Sequence, residues 1–162
     1  MPAVTGLGHV GFFVSNFERS VDFYTRVLGL KKSDIDFERR FAFLSAHPEQ
    51  EHHEVFLAEA PDRVDPKGVQ QASFRCASLD DVLAFKHVFA EEKVPIDIEV
   101  THGNALSIYF FDPDGYRLEV YWKVPREVHP PFQVPIDLTK SNDEVMRQID
   151  EAIARIRPAV TA

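Results

Sequence analysis

Residues 6–13 read Gly-Leu-Gly-His-Val-Gly-Phe-Phe, and residues 68–75 read Gly-Val-Gln-Gln-Ala-Ser-Phe-Arg. Laid one over the other, His9 falls against Gln71, Val10 against Ala72 and Phe12 against Phe74. Each stretch reads as a strand that opens the same series of elements, so the chain reads as one unit written twice.

In the first copy the apolar run over residues 7–14 stops at Ser15-Asn16, and apolar residues then recur at Phe17, Val21, Tyr24 and Leu28. That spacing draws one helical stripe, and Gly29 sits where a helix C-cap belongs. Three short strand-like runs follow, over residues 30–35, 40–46 and 53–60. In the second copy a strand over residues 69–76 leads to Ser78, with Asp81 three positions on, a capping pattern. Leu79, Val82, Phe85 and Phe89 then share one helical face. Strands over residues 96–100, 105–111 and 117–123 complete it, the last two joined by Asp112-Pro113-Asp114-Gly115. Pro presets one turn residue there and Gly tolerates positive φ. Both copies are βαβββ, and both end on a proline, Pro61 and Pro125.

The expected fold class is α+β: two tandem βαβββ modules, residues 6–61 and 68–125, forming a curved mixed sheet around a metal cleft within a domain spanning residues 1–125. Residues 126–140 are proline-rich and polar, and Val145, Ile149, Ala152 and Ile156 share one side of a helix expected over residues 141–157. This tail is read as a packing or dimerisation appendage.

Bulk properties narrow the function. A chain of 162 residues that is 44% hydrophobic can build a real core. A net charge of −8 argues against nucleic acid and anionic membranes as partners, since both reward clustered Lys and Arg. The single cysteine, Cys76, rules out an internal disulfide. The N-terminus lacks a basic segment followed by an apolar stretch, and no run approaches a membrane span. A cytoplasmic protein with a small-molecule ligand is expected.

Strand alternation then sorts the faces. Val10, Phe12 and Val14 share the apolar face of the first strand, with His9, Gly11 and Phe13 opposite. In its counterpart Ala72, Phe74 and Cys76 oppose Gln71, Ser73 and Arg75. In the last strand Leu118, Val120 and Trp122 oppose Arg117, Glu119 and Tyr121. The same split puts His53 with Val55 and Leu57, and Tyr109 with Ser107 and Phe111. A carboxylate at Glu119, inside an otherwise central strand, is costly unless paired or coordinated. His9, His53, Gln71, Tyr109 and Glu119 could thus line one metal-binding cavity. Hydrogen-bonded or solvated side chains would give the same pattern, and spacing alone leaves both readings open.

The motifs GLGHVGFFV, FYTRVLGL, HHEVFL, THG and SIYFFDPDGYRLEVYW, in this order, resemble the vicinal oxygen chelate superfamily, which includes glyoxalase I, antibiotic-resistance proteins and extradiol catechol dioxygenases. The resemblance covers residues 6 to about 125 and is finest with the extradiol dioxygenases. It implies metal ligands at His9, in GLGH, and at Glu119, in DPDGYRLEVY. Gln71 falls where those enzymes carry their second histidine ligand, a departure at a defining position. The resemblance also implies a proton-handling role for His53 and substrate-orienting roles for His102, in THG, and Tyr109.

The activity so implied is extradiol-type cleavage of a catechol-like aromatic diol by O2 on a divalent metal. Fe(II) is the first choice, with Mn(II), Zn(II) or Ni(II) as alternatives. Gln71 puts that activity in question, because an amide oxygen is a weaker donor than imidazole. A glyoxalase-like metal-dependent isomerase or lyase, or a non-catalytic protein that binds a small aromatic compound, are the alternatives. A homodimer is allowed.

Overall fold

The structure, a computed structural model, describes residues 7–128 and 132–156; His129 and Arg157, the expected last residue of the tail helix, lie outside the described residues. The chain forms two compact units, residues 1–70 with 112–116, and residues 71–111 with 117–162. The architecture is the expected α+β class, with two mixed sheets and a C-terminal helix.

The first unit contains β1 (Val10–Val14), α1 (Phe17–Asp22), β2 (Lys31–Asp36), β3 (Phe41–Ser45) and β4 (Val55–Glu59). Its sheet runs β1-β4-β3-β2, with β1 parallel to β4 and the other pairs antiparallel. Asn16 starts α1 by accepting the Arg19 N–H at 2.9 Å, which satisfies a helix-end donor that would otherwise go unpaired. The helical stripe continues past α1 through one π-helical turn, Phe23–Val27, where the Leu28 N–H reaches back to the Phe23 carbonyl at 3.2 Å. Gly29 ends it at φ +76°, a backbone state that glycine adopts without steric cost. Phe12, Val14, Leu44, Val55 and Leu57 are buried under the helix.

The second unit repeats the plan with β5 (Ala72–Cys76), α2 (Leu79–Glu91), β6 (Ile96–Thr101), β7 (Ala105–Phe111) and β8 (Arg117–Lys123). Ser78 caps α2 by accepting the Asp81 N–H at 3.2 Å. Phe89 and Phe110, both fully buried, stack with centroids 4.4 Å apart and pin α2 on the sheet. Burial of each such ring stabilises the fold by roughly 1.5–3 kcal/mol. A ninth strand, β9 (Val134–Pro135), and α3 (Asn142–Ile156) follow, giving the sheet order β5-β8-β7-β6-β9.

Several expectations change. The strands expected from residues 7 and 69 begin at Val10 and Ala72, so His9 and Gln71 each stand immediately before a strand rather than within it. The second strand of each unit carries a bulge, at Ser33 and at Asp97. The strand β9 has no counterpart in the sequence reading, since a two-residue Val-Pro strand carries no periodicity.

The DPDG stretch joins β7 to β8 as expected, and it also belongs to the first unit. Asp112 Oδ1 accepts the N–H groups of Asp114 and Tyr116 at 2.9 and 2.8 Å, and Gly115 takes φ +86°. The Tyr24 hydroxyl donates to Asp112 Oδ2 at 3.0 Å, the Arg19 guanidinium pairs with Asp114 at 2.6 Å, and the Tyr116 hydroxyl donates to the Phe13 carbonyl at 3.0 Å. Among the described residues no helix is long and apolar enough to cross a membrane.

Candidate functional site

The candidate side chains fall into two groups, one in each unit. In the first unit His9 precedes β1, and its ring centroid lies 4.2 Å from that of His53. His53 Nδ1 lies 3.0 Å from His52 Nδ1, and the His53 ring meets Phe43 edge-on at 4.9 Å. Phe43 and Phe56 form the sheet face opposite the buried Val55 and Leu57. His53 therefore lies on the His9 and Phe43 side, a correction to the alternation that put it with Val55 and Leu57. The cause is local: the chain bends through residues 52–54, and alternation begins only at Val55. Burial, followed by the charges of His9 and His52, holds the His53 imidazole below its ordinary pKa range. Glu54 turns away, accepting the Ala46 N–H at 2.7 Å.

In the second unit Gln71, Glu119, Tyr109 and His102 come together. Glu119 lies in the centre of β8, paired to Ser73 on β5 and to Tyr109 on β7, and is only 6% exposed. Its Oε2 accepts from Gln71 Nε2 at 3.0 Å and from the Ser73 hydroxyl. The Gln71 carbonyl Oε1 faces Arg117 Nη1 at 3.2 Å. Because a guanidinium only donates and a carboxylate only accepts, chemistry fixes which end of the amide faces which neighbour. Gln71 thus serves as a hydrogen-bond donor to Glu119. Arg117 also pairs with Asp97 at 2.8 Å and lies 4.0 Å from the Tyr109 ring centre.

His102 stands just past the end of β6. Its Nε2 meets the Tyr109 hydroxyl at 3.1 Å and its Nδ1 meets the Phe132 carbonyl at 2.7 Å. Burial, and then the neighbouring Glu119, push the Tyr109 phenol up to about 12, so the hydroxyl keeps its proton at neutral pH. Ser73, His102, Asn104, Ala105, Tyr109, Glu119 and Tyr121 line an open cavity of about 390 Å³. This is the low end of the size usual for small-ligand sites.

Sequence reasoning sorted Ser73, Arg117 and Tyr121 onto this face without assigning any of them a role, and it missed Asn104 and Phe132. The available signal for Arg117 was its position two residues before Glu119 on one strand face. Phe132 carried none. Among the described residues no three His, Cys, Asp or Glu side chains group as a metal holder. Cys76 is buried, and that burial pushes its thiol up to about 11.

The family model described as Glyoxalase/Bleomycin resistance protein/Dioxygenase superfamily matches residues 6–120, and the chain belongs to that superfamily. Among individual relatives, the chain is 31% identical over 130 residues to biphenyl-2,3-diol 1,2-dioxygenase 2 of Rhodococcus globerulus, covering 74% of this chain and 64% of that one. It is 27% identical to a manganese-dependent 2,3-dihydroxybiphenyl 1,2-dioxygenase of Geobacillus genomosp. 3, covering 78% of this chain and 39% of that one. It is also 28% identical to a lactoylglutathione lyase of Pseudomonas putida, covering 72% and 84% respectively. The chain thus spans under two thirds of the length of these dioxygenases. A solved integron cassette protein from the mobile metagenome of Halifax Harbour sewage outfall superposes with a TM-score of 0.62 at 30% identity, covering 74% of this chain and 99% of that one. The relatives include enzymes of more than one reaction class.

Proposed function

We propose that the protein is a metal-dependent, extradiol-type ring-cleaving dioxygenase acting on a catechol-like aromatic diol. The observation that carries this reading is the cavity in the second unit, where a buried carboxylate, Glu119, stands beside a hydrogen-bonded His102–Tyr109 pair. The likeness to two diol dioxygenases supports it.

The donor chemistry suits a divalent iron or manganese ion: in the second unit one carboxylate at Glu119 and, at Gln71, its amide oxygen or a water in its place, and in the first unit an imidazole at His9 as the further donor type. Hard oxygen donors and imidazole suit Mn(II) and Fe(II) alike, with Zn(II) or Ni(II) as alternatives. A divalent metal held by these residues would supply Lewis-acid and redox chemistry to the diol and O2. In the overall reaction the carbon–carbon bond beside the diol breaks and both atoms of O2 enter the product, so the diol is the reductant and O2 the oxidant.

The chain's own residues do the rest. Tyr109 and His102 hold the substrate oxygens through hydrogen bonds, and His53 moves a proton, its imidazole being the side chain suited to that task near neutral pH. Ser73 and Gln71 orient the Glu119 carboxylate by donating to it. Outer hydrogen bonds of this kind tune a ligand's direction and basicity.

A second reading, a glyoxalase-like isomerase or lyase, draws on Gln71, because a neutral amide oxygen suits Lewis-acid chemistry better than oxygen activation. The likeness to a lactoylglutathione lyase points the same way. Anaerobic reconstitution with Fe(II), followed by catechol or 2,3-dihydroxybiphenyl and then air, separates the two. A yellow ring-fission product is expected. Stoichiometric metal binding with no colour from any aromatic diol would overturn the dioxygenase reading, and absence of metal binding would leave the non-catalytic aromatic binder.

A further inference from the structure

The family match ends at residue 120, yet the segment after it touches the cavity's own histidine. We propose that the C-terminal strap, Phe132 followed by β9, is a positioning element that fixes the tautomer of His102 and, through it, the direction of the Tyr109 hydroxyl. This rests on the assignment of the second unit's cavity to substrate, made above.

The strap joins the sheet as an edge strand. Val134 pairs with Thr101 and Pro135 with Val100, antiparallel. Continuing that ladder brings Phe132 to the end of β6, where its N–H meets the His102 carbonyl at 3.5 Å and its own carbonyl meets His102 Nδ1 at 2.7 Å. A carbonyl oxygen only accepts, so Nδ1 must carry the ring proton. In the neutral imidazole Nε2 is then bare, and the Tyr109 hydroxyl 3.1 Å away donates to it. The Tyr109 hydroxyl has one proton and stands within hydrogen-bonding reach of both His102 Nε2 and Glu119, so a bare Nε2 draws that proton to His102 and leaves the phenol oxygen's lone pairs to meet a hydroxyl in the cavity. Without the strap, Nε2 could carry the proton, and Tyr109 would turn its own toward Glu119.

Gly103 shows that this end of the sheet is shaped to receive the strap. Its φ is +81°, and a Cβ there would stand 2.9 Å from Phe132 Cε1 and 3.0 Å from Val128 Cγ2. The strap is itself held from behind by α3. Gln148 accepts the Asp137 N–H at 2.9 Å and donates to the Asp137 carbonyl at 3.1 Å, and Arg126 pairs with Asp150 at 2.9 Å. Val145 and Ile149 of α3 are fully buried. The tail therefore forms one connected path from α3 to His102.

The test is long-range 15N–1H correlation on histidine-labelled full-length protein, free of metal and substrate, so that its outcome is independent of any catalytic activity. At neutral pH His102 is expected as the single Nδ1–H tautomer, with Nε2 shifted by an accepted hydrogen bond that disappears in Tyr109→Phe. Ile149→Asp, which forces a charge into the buried face of α3, is expected to open the β9–β6 amides to hydrogen exchange and turn His102 into a mixture of tautomers. Phe132→Gly, which keeps the backbone carbonyl but removes the ring packed on Gly103, is expected to act the same way and serves if Ile149→Asp fails to fold. An Nε2–H tautomer in the wild-type protein would overturn the proposal. So would an unchanged Nδ1–H tautomer in a variant whose β9–β6 amides have opened.

Discussion

Gln71 donates its side-chain amide to the Glu119 carboxylate at 3.0 Å. The same amide turns its carbonyl to Arg117, so the residue at the position of an expected ligand is engaged as a donor. Imidazole at this position would accept a metal through a bare ring nitrogen, a stronger donor than an amide oxygen. Gln71→His is therefore expected to tighten Fe(II) or Mn(II) binding by about tenfold or more, the scale on which ligand and outer-shell changes act. Anaerobic titration followed by calorimetry, or by the Mn(II) resonance signal, measures it. Unchanged affinity would mean that position 71 is not a ligand position.

Glu119 has a cost that its function would explain. A carboxylate 6% exposed in mid-sheet, hydrogen-bonded by Gln71 and Ser73 and within reach of the Tyr109 hydroxyl, has lost most of its hydration. Glu119→Gln keeps an acceptor oxygen toward Ser73 and removes the buried charge. The metal-free variant is expected to match or exceed the wild-type protein in stability, by up to about 2 kcal/mol, while losing metal affinity. Thermal melts with and without Mn(II) check both parts. A less stable variant would show that the carboxylate is held for structure.

Much of this architecture is legible in the residues because local chemistry and tertiary demand agree. The capping pair Ser78 and Asp81, the stripes on α1 and α2, and the Asp112–Gly115 turn all declare themselves by spacing. So does the buried Glu119 between Leu118 and Val120. What stays hidden depends on contacts between distant residues. The placement of His53 follows from a bend that alternation does not encode, and the Phe132–His102 bond joins positions thirty residues apart. The orientation of Gln71 is set by Arg117, on β8. No periodic signal reports such pairings.

Phe89 is the main anchor of α2. Its ring is fully buried against Phe110 at 4.4 Å and beside Phe85 at 5.6 Å. Truncation to alanine leaves a cavity under a helix whose other buried residues are Leu79 and Val82, and is expected to cost about 3–5 kcal/mol. Denaturant unfolding measures the loss. A cost near 1 kcal/mol would show that the helix collapses to refill the space.

Asp112 makes the fold's stability depend on pH. Burial raises its carboxyl from 3.8 to about 6, against hydrogen bonds from Tyr116, Tyr24 and Asp114 that pull it down. A folded-state pKa above the unfolded one means that the folded protein binds the proton more tightly. The contribution of Asp112 is thus fully present below about pH 4 and is lost as pH rises through about 6. The difference of roughly two pKa units corresponds to about 3 kcal/mol. Asp112→Asn keeps Oδ1 for the Asp114 and Tyr116 N–H groups and offers Nδ2 to the Tyr24 oxygen. Other carboxylates, Glu59 and Asp137 among them, are lowered and so act in the opposite sense, which makes the variant-minus-wild-type difference the quantity to follow. Denaturant melts between pH 4 and 8 should show the asparagine variant gaining on the wild-type protein through pH 4–6 and holding that gain above it. A difference that does not change with pH would place the Asp112 carboxyl in contact with solvent and undo the argument.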